Sequence, residues 1–251
     1  MRPLIEALDV DAMEWSPLGR PGLFTKLLSR DSETGARTAL QRMVPGGEFA
    51  PPSVAHFHTT YEEILGISGL FSFDSRTWIT QGSYVFHPPR TVHGFKSAVP
   101  TESWFLSRVG RDLDVTLVHE PDGDDLYVIE GPAPSRVPVA KADPAGELGW
   151  TSGVLLGGEI AVEWCVLSVD PESGEGSALL RIPAGWASAT RSLDHYVEMF
   201  VVEGQVGIAP APVAAEPRLT YFFYPPEAPI GALQALAPSL VYLNFGKSMI
   251  A

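Results

Sequence analysis

The two halves of this chain contain the same sequence segments in the same order. Three segments of the first half recur in the second: Leu28–Gly35 as Leu167–Gly174, Tyr61–Leu65 as Tyr196–Phe200, and Tyr84–Pro89 as Tyr221–Pro226. Segments that recur in order, together with their turn residues, indicate one structural unit that is used twice. The sequence therefore predicts two similar domains, residues 1–135 and 136–251, joined at the stiff, proline-rich stretch 131–138.

Short strands rather than long helices are predicted for both halves. The 251 residues include 24 Gly and 23 Pro. Turn-forming clusters such as 31–35 and 45–47 separate strand-like runs such as 38–44 and 104–109. No segment keeps the apolar period of about 3.6 residues over a long stretch, so helices should be short and peripheral. The 45% of apolar residues is enough to fill the core of an all-β fold.

The charge of the chain argues against a nucleic-acid partner. Lys and Arg together number 17 against 30 Asp and Glu, which gives a formal net charge of −13 and a sequence pI of about 4.8. Proteins that bind nucleic acid usually present a basic patch or stripe, and the sequence contains none. We expect a small-molecule ligand instead.

Several features predict a cytoplasmic protein. Cys165 is the only cysteine, so no intrachain disulfide is possible, and its apolar neighbours predict a buried and inert thiol. The N-terminal residues carry acids early and lack the apolar stretch of a signal peptide. No segment approaches the roughly 20 apolar residues of a membrane-spanning helix. We therefore expect no association with a membrane.

Four residues of the first half have the spacing of one metal site. His56 and His58 are two residues apart, so on a strand they project to the same face, and Glu62 has the same parity. A returning strand can bring His93 opposite them. Imidazole and carboxylate groups are suitable ligands for Fe, Mn, Ni, Co or Zn. The predicted ligands of one divalent transition-metal ion are therefore His56, His58, Glu62 and His93.

The first ligand segment resembles the first motif of the cupins. That motif reads His-x-His, three or four residues, Glu, six residues and Gly, and it is matched by His56, His58, Glu62 and Gly69. The run EEILGISG is similar to the cupin domains of zinc-binding anti-sigma factors of the ChrR type. The resemblance implies an all-β chain of two tandem double-stranded β-helix (jelly-roll) cupin barrels, that is, a bicupin.

The second ligand segment resembles the second cupin motif, with one departure. The motif reads Gly, five residues and P-x-G-x-x-H, and Gly82, Pro88 and His93 stand at the matching positions. Arg90 stands where the motif has its inner Gly. The run YVFHPPRTVHG again resembles the ChrR type. With both motifs present in order, all four ligand types of the family are accounted for.

The second half of the chain lacks the metal ligands. The repeat places the following residues at the positions of His56, His58, Glu62 and His93: Arg191, Leu193, Val197 and Ile230. None of them can replace its counterpart, and His195 would be a lone imidazole. Glu63 recurs as Glu198, which supports a scaffold role for Glu63 and a ligand role for Glu62. The C-terminal barrel is predicted to be metal-free and structural, although closure over the metal site or a separate ligand remain alternatives.

Other residues near the ligands are candidates for substrate binding or catalysis. The predicted substrate pocket consists of Tyr61, Phe86, Arg90, Phe95 and Trp104. Aromatic residues in such barrels are also common core residues, and Arg90 could equally be a solvated surface cation. His87 is a candidate catalytic residue that supplies a hydrogen bond or proton near the metal. Its counterpart Tyr224 favours an alternative, a polar aromatic side chain at the barrel rim.

Cupins with this ligand set include dioxygenases, decarboxylases, isomerases and lyases, so the resemblance specifies the site better than the reaction. The leading hypothesis is a non-haem Fe(II) dioxygenase that acts on a small organic substrate and on O2. The second hypothesis is an O2-independent, metal-dependent isomerase, cyclase or lyase. The third is a non-enzymatic zinc-binding sensor or ligand-binding module. Zn, Mn, Ni or Co are alternatives to iron, and the protein could be a monomer or a homodimer.

Overall fold

The computed structural model describes residues 1–51, 53–129, 131–210, 219–247 and 249, and these form an almost entirely β structure. In chain order the elements are β1 (Ile5–Asp9), β2 (Ser16–Pro17), β3 (Leu23–Arg30), β4 (Arg37–Met43), β5 (His56–Phe57), β6 (Glu62–Ser68), β7 (Tyr84–His87), β8 (Thr91–Val92), β9 (Ser103–Val109), β10 (Thr116–Leu117), β11 (Tyr127–Val128), β12 (Val139–Lys141), α1 (Pro144–Leu148), β13 (Thr151–Gly153), β14 (Val162–Val169), β15 (Gly176–Ile182), β16 (Arg191–Ser192), β17 (Val197–Ile208), β18 (Thr220–Tyr224), β19 (Pro229–Ile230) and β20 (Leu233–Phe245). Among the described residues α1 is the only helix. The predicted all-β fold class, with two jelly-roll barrels, is confirmed.

The chain divides into two compact units. Residues 14–147 form one, here called the N-terminal barrel, and residues 1–13 together with 148–251 form the other, here called the C-terminal barrel. Each contains a seven-stranded antiparallel sheet. The strand order is β12-β7-β6-β9-β4-β3-β2 in the N-terminal barrel and β1-β18-β17-β20-β15-β14-β13 in the C-terminal barrel. At each position in the two orders, the two strands come from segments that correspond in the repeat.

The edges of the two sheets explain why these units differ from the predicted division at residue 135. In the C-terminal barrel, β1 pairs with β18, and in the N-terminal barrel, β12 pairs with β7. A buried ion pair accompanies each edge strand. Arg2 Nη2 lies 2.7 Å from Glu198 Oε1, and Arg136 Nη2 lies 2.8 Å from Glu63 Oε1. Residues 1–13 therefore belong to the C-terminal barrel and residues 136–147 to the N-terminal barrel. The predicted division at residue 135 had assigned each segment to the other unit.

Two glycines show how closely the two barrels repeat the same backbone. Gly69 and Gly204 both have positive φ, 82° and 87°, in the region that glycine adopts without steric cost. A Cβ atom on Gly69 would lie 2.2 Å from the carbonyl oxygen of Glu102, and one on Gly204 would lie 2.4 Å from that of Pro238. Each glycine is thus required both by the turn and by a close backbone approach.

Separate apolar clusters fill the two barrels. The cluster of the N-terminal barrel that lies nearest the metal motifs contains Met43, Ile64, Phe71, Ile79 and Val85. The cluster of the C-terminal barrel is larger and includes Trp164 and Trp186, both 1% exposed. Cys165 is buried, as predicted. No helix in the described part of the chain has the length and apolar character needed to cross a membrane. The cytoplasmic location stays a prediction.

Candidate metal centre

Backbone pairing brings His56 and His93 together. The two residues form an antiparallel bridge in which each backbone N–H donates to the other residue's carbonyl oxygen at 2.9 Å. His56 begins β5, and His93 directly follows β8. Their ring centroids are 4.5 Å apart, and the ring of His58 lies 5.2 Å from that of His56 and 5.1 Å from that of His93. The three predicted imidazoles therefore form one cluster.

Glu62, the first residue of β6, adds a carboxylate to this cluster. Its Oε2 atom lies 3.7 Å from Nε2 of His58 and 3.4 Å from Nε2 of His93. Burial alone would raise the pKa of Glu62, but the hydrogen bond from His93 and the charges of neighbouring imidazoles lower this pKa to about 2. The carboxylate is consequently ionised at neutral pH.

Backbone carbonyl groups hold the other nitrogen of each ring. Nδ1 of His56 lies 3.0 Å from the oxygen of Val54, Nδ1 of His93 lies 2.8 Å from that of Thr91, and Nδ1 of His58 contacts that of Asp114. A carbonyl oxygen can only accept, so each Nδ1 is assigned as the protonated donor nitrogen. Nε2 is then the nitrogen that a metal ion would bind. Metal-binding histidines are commonly oriented by a hydrogen bond of this kind.

His87 lies against the same cluster. It ends β7, stands opposite Glu62 in the β6–β7 register, and stacks on the ring of His93 with centroids 4.2 Å apart. Its side chain is 4% exposed, and its Nδ1 atom has no hydrogen-bond partner among the described residues. Burial, followed by the charge of His93, lowers the pKa of His87 well below its usual range. His87 is therefore a neutral imidazole that the predicted ligand set does not use.

The donor set fits a divalent transition-metal ion. The donor atoms form two groups that share His93: His56, His58 and His93 in one, and Glu62, His87 and His93 in the other. Within each group the donor atoms lie within 4.8 Å of one another. Imidazoles that present Nε2, together with one ionised carboxylate, suit Fe(II), Mn, Co, Ni or Zn. The four predicted ligands would hold such an ion, and His87 would be its neighbour.

A pocket with largely apolar walls adjoins His87 and His93. It encloses about 290 Å³, part of which is open to solvent. Its apolar side chains are Phe73, Ile79, Val85, Leu126 and Ala140, and its polar ones include Asp74 and Thr77. Ala140 belongs to β12, which the sequence-based division had assigned to the second domain. Leu126 and Phe73 lie outside the motif segments, so no pattern in the sequence marked them.

The residues predicted to form the substrate pocket lie elsewhere in the N-terminal barrel. Phe86 stands opposite Glu63 in the β6–β7 register, so it faces the side of the sheet away from Glu62. Trp104 stands on that same side of β9 and packs edge-on against Trp15 at 5.1 Å. Tyr61 lies 5.2 Å from the Arg108 guanidinium. These three side chains therefore do not line the pocket beside His87.

Phe95 and Arg90 also occupy other positions. Phe95 is 8% exposed and packs in an apolar cluster with Ala55 and Val92. The Arg90 side chain is exposed, and its backbone N–H donates to the carbonyl oxygen of His58 at 2.7 Å. Its φ is 66°, a conformation that favours glycine, which explains why the cupin motif has Gly at this position. Arg90 therefore contributes to the turn between the ligand segments rather than to the wall of the pocket.

The C-terminal barrel presents apolar side chains at three of the four positions where the N-terminal barrel presents its predicted ligands. Arg191 and Ile230 pair in β16 and β19, as His56 and His93 do. Val197, Ile230 and Tyr224 are buried in the apolar cluster of this barrel, and Leu193 packs against it. The structure thus agrees with the sequence alignment of the two halves. The metal-free state of this barrel stays a prediction.

Comparison with known proteins agrees with the fold and with the position of the motifs. Residues 6–109, which include all four predicted ligands, match the family model described as the ChrR cupin-like domain. A search of curated proteins with the whole sequence found no match. The family match covers less than half of the chain, so it describes the segment that carries the metal motifs.

Solved structures extend the similarity to nearly the whole chain. A candidate dioxygenase from Nostoc punctiforme has a TM-score of 0.69 at 15% identity, over 97% of this chain and 83% of its own. Salicylate 1,2-dioxygenase from Pseudoaminobacter salicylatoxidans, in a mutant form, has a TM-score of 0.57 at 12% identity, with 90% and 71% covered. A mutant of Bacillus subtilis oxalate decarboxylase has a TM-score of 0.56 at 12% identity, with 99% and 79% covered. At these identities the similarity establishes the fold alone, and that fold supports more than one chemistry.

Proposed function

We propose that this protein is a bicupin that binds one Fe(II) ion through His56, His58, Glu62 and His93 and acts as a dioxygenase on a small organic substrate. The observation that carries the proposal is the orientation of the three imidazoles. Each has its Nδ1 atom engaged by a backbone carbonyl, and the Nε2 atoms of His58 and His93 lie close to Glu62 Oε2. Such an arrangement is characteristic of a preformed metal centre.

The protein's own groups would supply orientation, charge and a dry environment. Bound iron would supply Lewis acidity and a template for substrate and O2. The Glu62 carboxylate would offset one of the two positive charges. The apolar walls beside His87 would exclude water from the bound substrate and leave His87 as the nearest uncommitted polar group. Four protein ligands leave two positions of a six-coordinate ion for substrate and O2.

The test is anaerobic purification followed by reconstitution with Fe(II). We expect nitric oxide, used as a surrogate for O2, to produce the high-spin iron–nitrosyl signal in electron paramagnetic resonance. Small phenols, enols, diketones and α-keto acids would then be screened for a change in that signal and for O2 uptake. The matched control is His195→Ala, which removes an imidazole from the C-terminal barrel. Iron that loads fully yet reacts with neither nitric oxide nor any of these compounds would refute the proposal.

A specific observation also supports the alternative of O2-independent chemistry. His87 is a buried neutral imidazole that lines the pocket, and in the part of the chain that the structure describes its Nδ1 atom has no hydrogen-bond partner. Such a group is suited to move a proton to or from a substrate held at the metal, as isomerases, cyclases and lyases require. Turnover of the same substrate with and without O2 separates the alternatives, since equal rates would eliminate the dioxygenase.

A further inference from the structure

The charge of the pocket beside the metal centre restricts what it can bind. Among the lining residues that the structure describes, none is Lys or Arg. Five lining side chains are hydrocarbon, and they come from separate segments of the N-terminal barrel. A ligand body that enters this space therefore exchanges water mainly for apolar contacts.

The acidic residue of the pocket, Asp74, already has partners. Its Oδ1 atom accepts the backbone N–H groups of Arg76 at 2.8 Å and Thr77 at 2.7 Å, and the Ser72 hydroxyl at 2.9 Å. These bonds fix the turn that carries Thr77 into the wall of the pocket. Asp74 therefore gives this side of the pocket a negative character without offering an unsatisfied oxygen at Oδ1.

Two basic side chains from segments next to the lining residues, Arg76 and Lys96, are engaged in surface ion pairs. Arg76 lies 3.6 Å from the Asp124 carboxylate and also contacts Asp125. Lys96 donates to Asp124 at 3.1 Å. A carboxylate on the ligand body would thus meet hydrocarbon and Asp74, and burying an unpaired charge in such a site is costly.

Among the buried residues that line the pocket, His87 is the polar one outside the predicted ligand set. Its Nδ1 atom has no hydrogen-bond partner among the described residues. A buried polar atom left unpaired costs free energy, so a ligand that pairs with it gains affinity. The pocket therefore combines hydrocarbon walls with one buried imidazole, beside the less buried Asp74 and Thr77.

We propose that the substrates of this site are small molecules with oxygen donors at the metal end and an uncharged, apolar body in this pocket, with His87 as the polar contact of that body. The inference rests on the proposed metal centre and names its substrate class. It excludes compounds whose body carries a carboxylate. It also separates this site from those of the neighbours named for salicylate and oxalate, which are carboxylates.

The experiment uses two catechols that differ at one substituent. Their dissociation constants from the Fe(II)-loaded protein would be measured anaerobically by calorimetry for 4-methylcatechol and 3,4-dihydroxybenzoate. We expect the methyl compound to bind about tenfold or more tightly than the acid, because the carboxylate would be buried without a cationic partner. Equal or tighter binding of the acid would overturn the inference and leave the proposed metal centre unaffected.

The catechols also differ in how strongly they chelate iron by themselves. A pair of variants controls for this difference, because the same compounds are compared in both proteins. Leu126→Lys adds a cation to the wall, and Leu126→Met is its neutral control. The ratio of the acid's dissociation constant to that of the methyl compound should fall about tenfold in the lysine variant and stay unchanged in the methionine variant. An unchanged ratio in a folded, iron-loaded lysine variant would contradict the proposal. If no catechol binds to the iron-loaded wild type, the proposed function itself fails, and this inference fails with it.

Discussion

Glu62 and Glu63 are neighbours on β6, yet they belong to two separate polar structures on opposite faces of the sheet. Glu62 faces the imidazoles, with Oε2 3.4 Å from His93 Nε2. Glu63 is 1% exposed and accepts hydrogen bonds from Arg136 at 2.8 Å and Arg108 at 3.1 Å, as well as from Tyr84. The alternation of side chains along a strand thus separates a candidate metal ligand from a structural ion network.

This separation predicts opposite effects for two conservative substitutions. Glu62→Gln should weaken metal binding by about a hundredfold or more, because a ligand charge is removed. Glu63→Gln should lower the free energy of unfolding by about 3–5 kcal/mol and leave the metal content near that of the wild type, because two buried guanidinium groups lose their carboxylate. Elemental analysis and urea denaturation measure the two quantities. The reverse pattern would show that the two glutamates had been assigned to the wrong roles.

The C-terminal barrel contains a matched control for the structural half of this prediction. Glu198 is 2% exposed and accepts hydrogen bonds from Arg2 at 2.7 Å and Tyr221 at 2.7 Å. Glu198→Gln should therefore destabilise the protein to a similar extent without any effect on metal affinity. A Glu198→Gln variant as stable as the wild type would mean that this network contributes little.

The clustering of the four predicted ligands could be predicted from sequence because their information is local. The His-x-His spacing and the parity of Glu62 specify one strand face, and the second motif specifies where the chain returns. The repeat then identified Glu63 as structural, since Glu198 occurs in a barrel without the motif. Local spacing and internal comparison were together sufficient to bring these four side chains together and to give the fold class. Their role as metal ligands stays a prediction.

The pocket and the unit boundaries were not predictable, because they depend on contacts between segments distant in sequence. Ala140 reaches the pocket only because β12 pairs with β7, and no local pattern reports that pairing. Phe86 was expected in the pocket from its position beside His87, although adjacent strand residues face opposite sides of a sheet. Arg2 pairs with Glu198, and a lone arginine near a chain terminus carries no signal of its partner.

A second prediction tests the metal centre by removing one imidazole from each barrel. His58→Ala should abolish stoichiometric metal binding, because it removes a ligand whose ring is oriented by Asp114. His195→Ala should leave the metal content unchanged, since the residues that align with the other ligands in its barrel are Arg191, Val197 and Ile230. Both variants would be loaded in parallel and analysed for metal by mass spectrometry. Stoichiometric metal in His58→Ala, or a second ion per wild-type chain, would contradict the ligand assignment.

A third prediction concerns the pH dependence of the metal-free protein. The pKa of His56 and the pKa of His87 are lowered in the folded state, principally by burial. Below the unfolded-state pKa of about 6.5 the unfolded chain binds protons that the folded chain does not, so stability should fall as the pH decreases. The slope approaches about 1.4 kcal/mol per pH unit for each such histidine. Urea denaturation between neutral and mildly acidic pH measures it, and His87→Phe should reduce the slope.

Glu62 should contribute to the same titration at lower pH. Its folded-state pKa of about 2 lies below the unfolded value of about 4.3, so its stabilising contribution is complete above that value. The contribution is lost as the pH falls toward 2. Glu62→Gln should therefore flatten the acid limb of the stability curve and leave the limb near pH 6 unchanged. A flat profile near pH 6 in the wild type would show that the two buried histidines do not remain neutral.

The fourth prediction distinguishes a substrate-facing His87 from a fifth metal ligand. Its Nδ1 atom finds no hydrogen-bond partner within the described ranges, whereas its ring belongs to a donor group with Glu62 and His93. If His87 contacts the substrate, His87→Gln should retain close to one metal ion per chain and weaken 4-methylcatechol binding by about tenfold to a hundredfold. His87→Phe, which keeps the ring but removes both nitrogens, should show the same loss of ligand affinity. Loss of the metal from both variants would instead assign His87 to the ligand set, and would leave only one coordination position for substrate or O2.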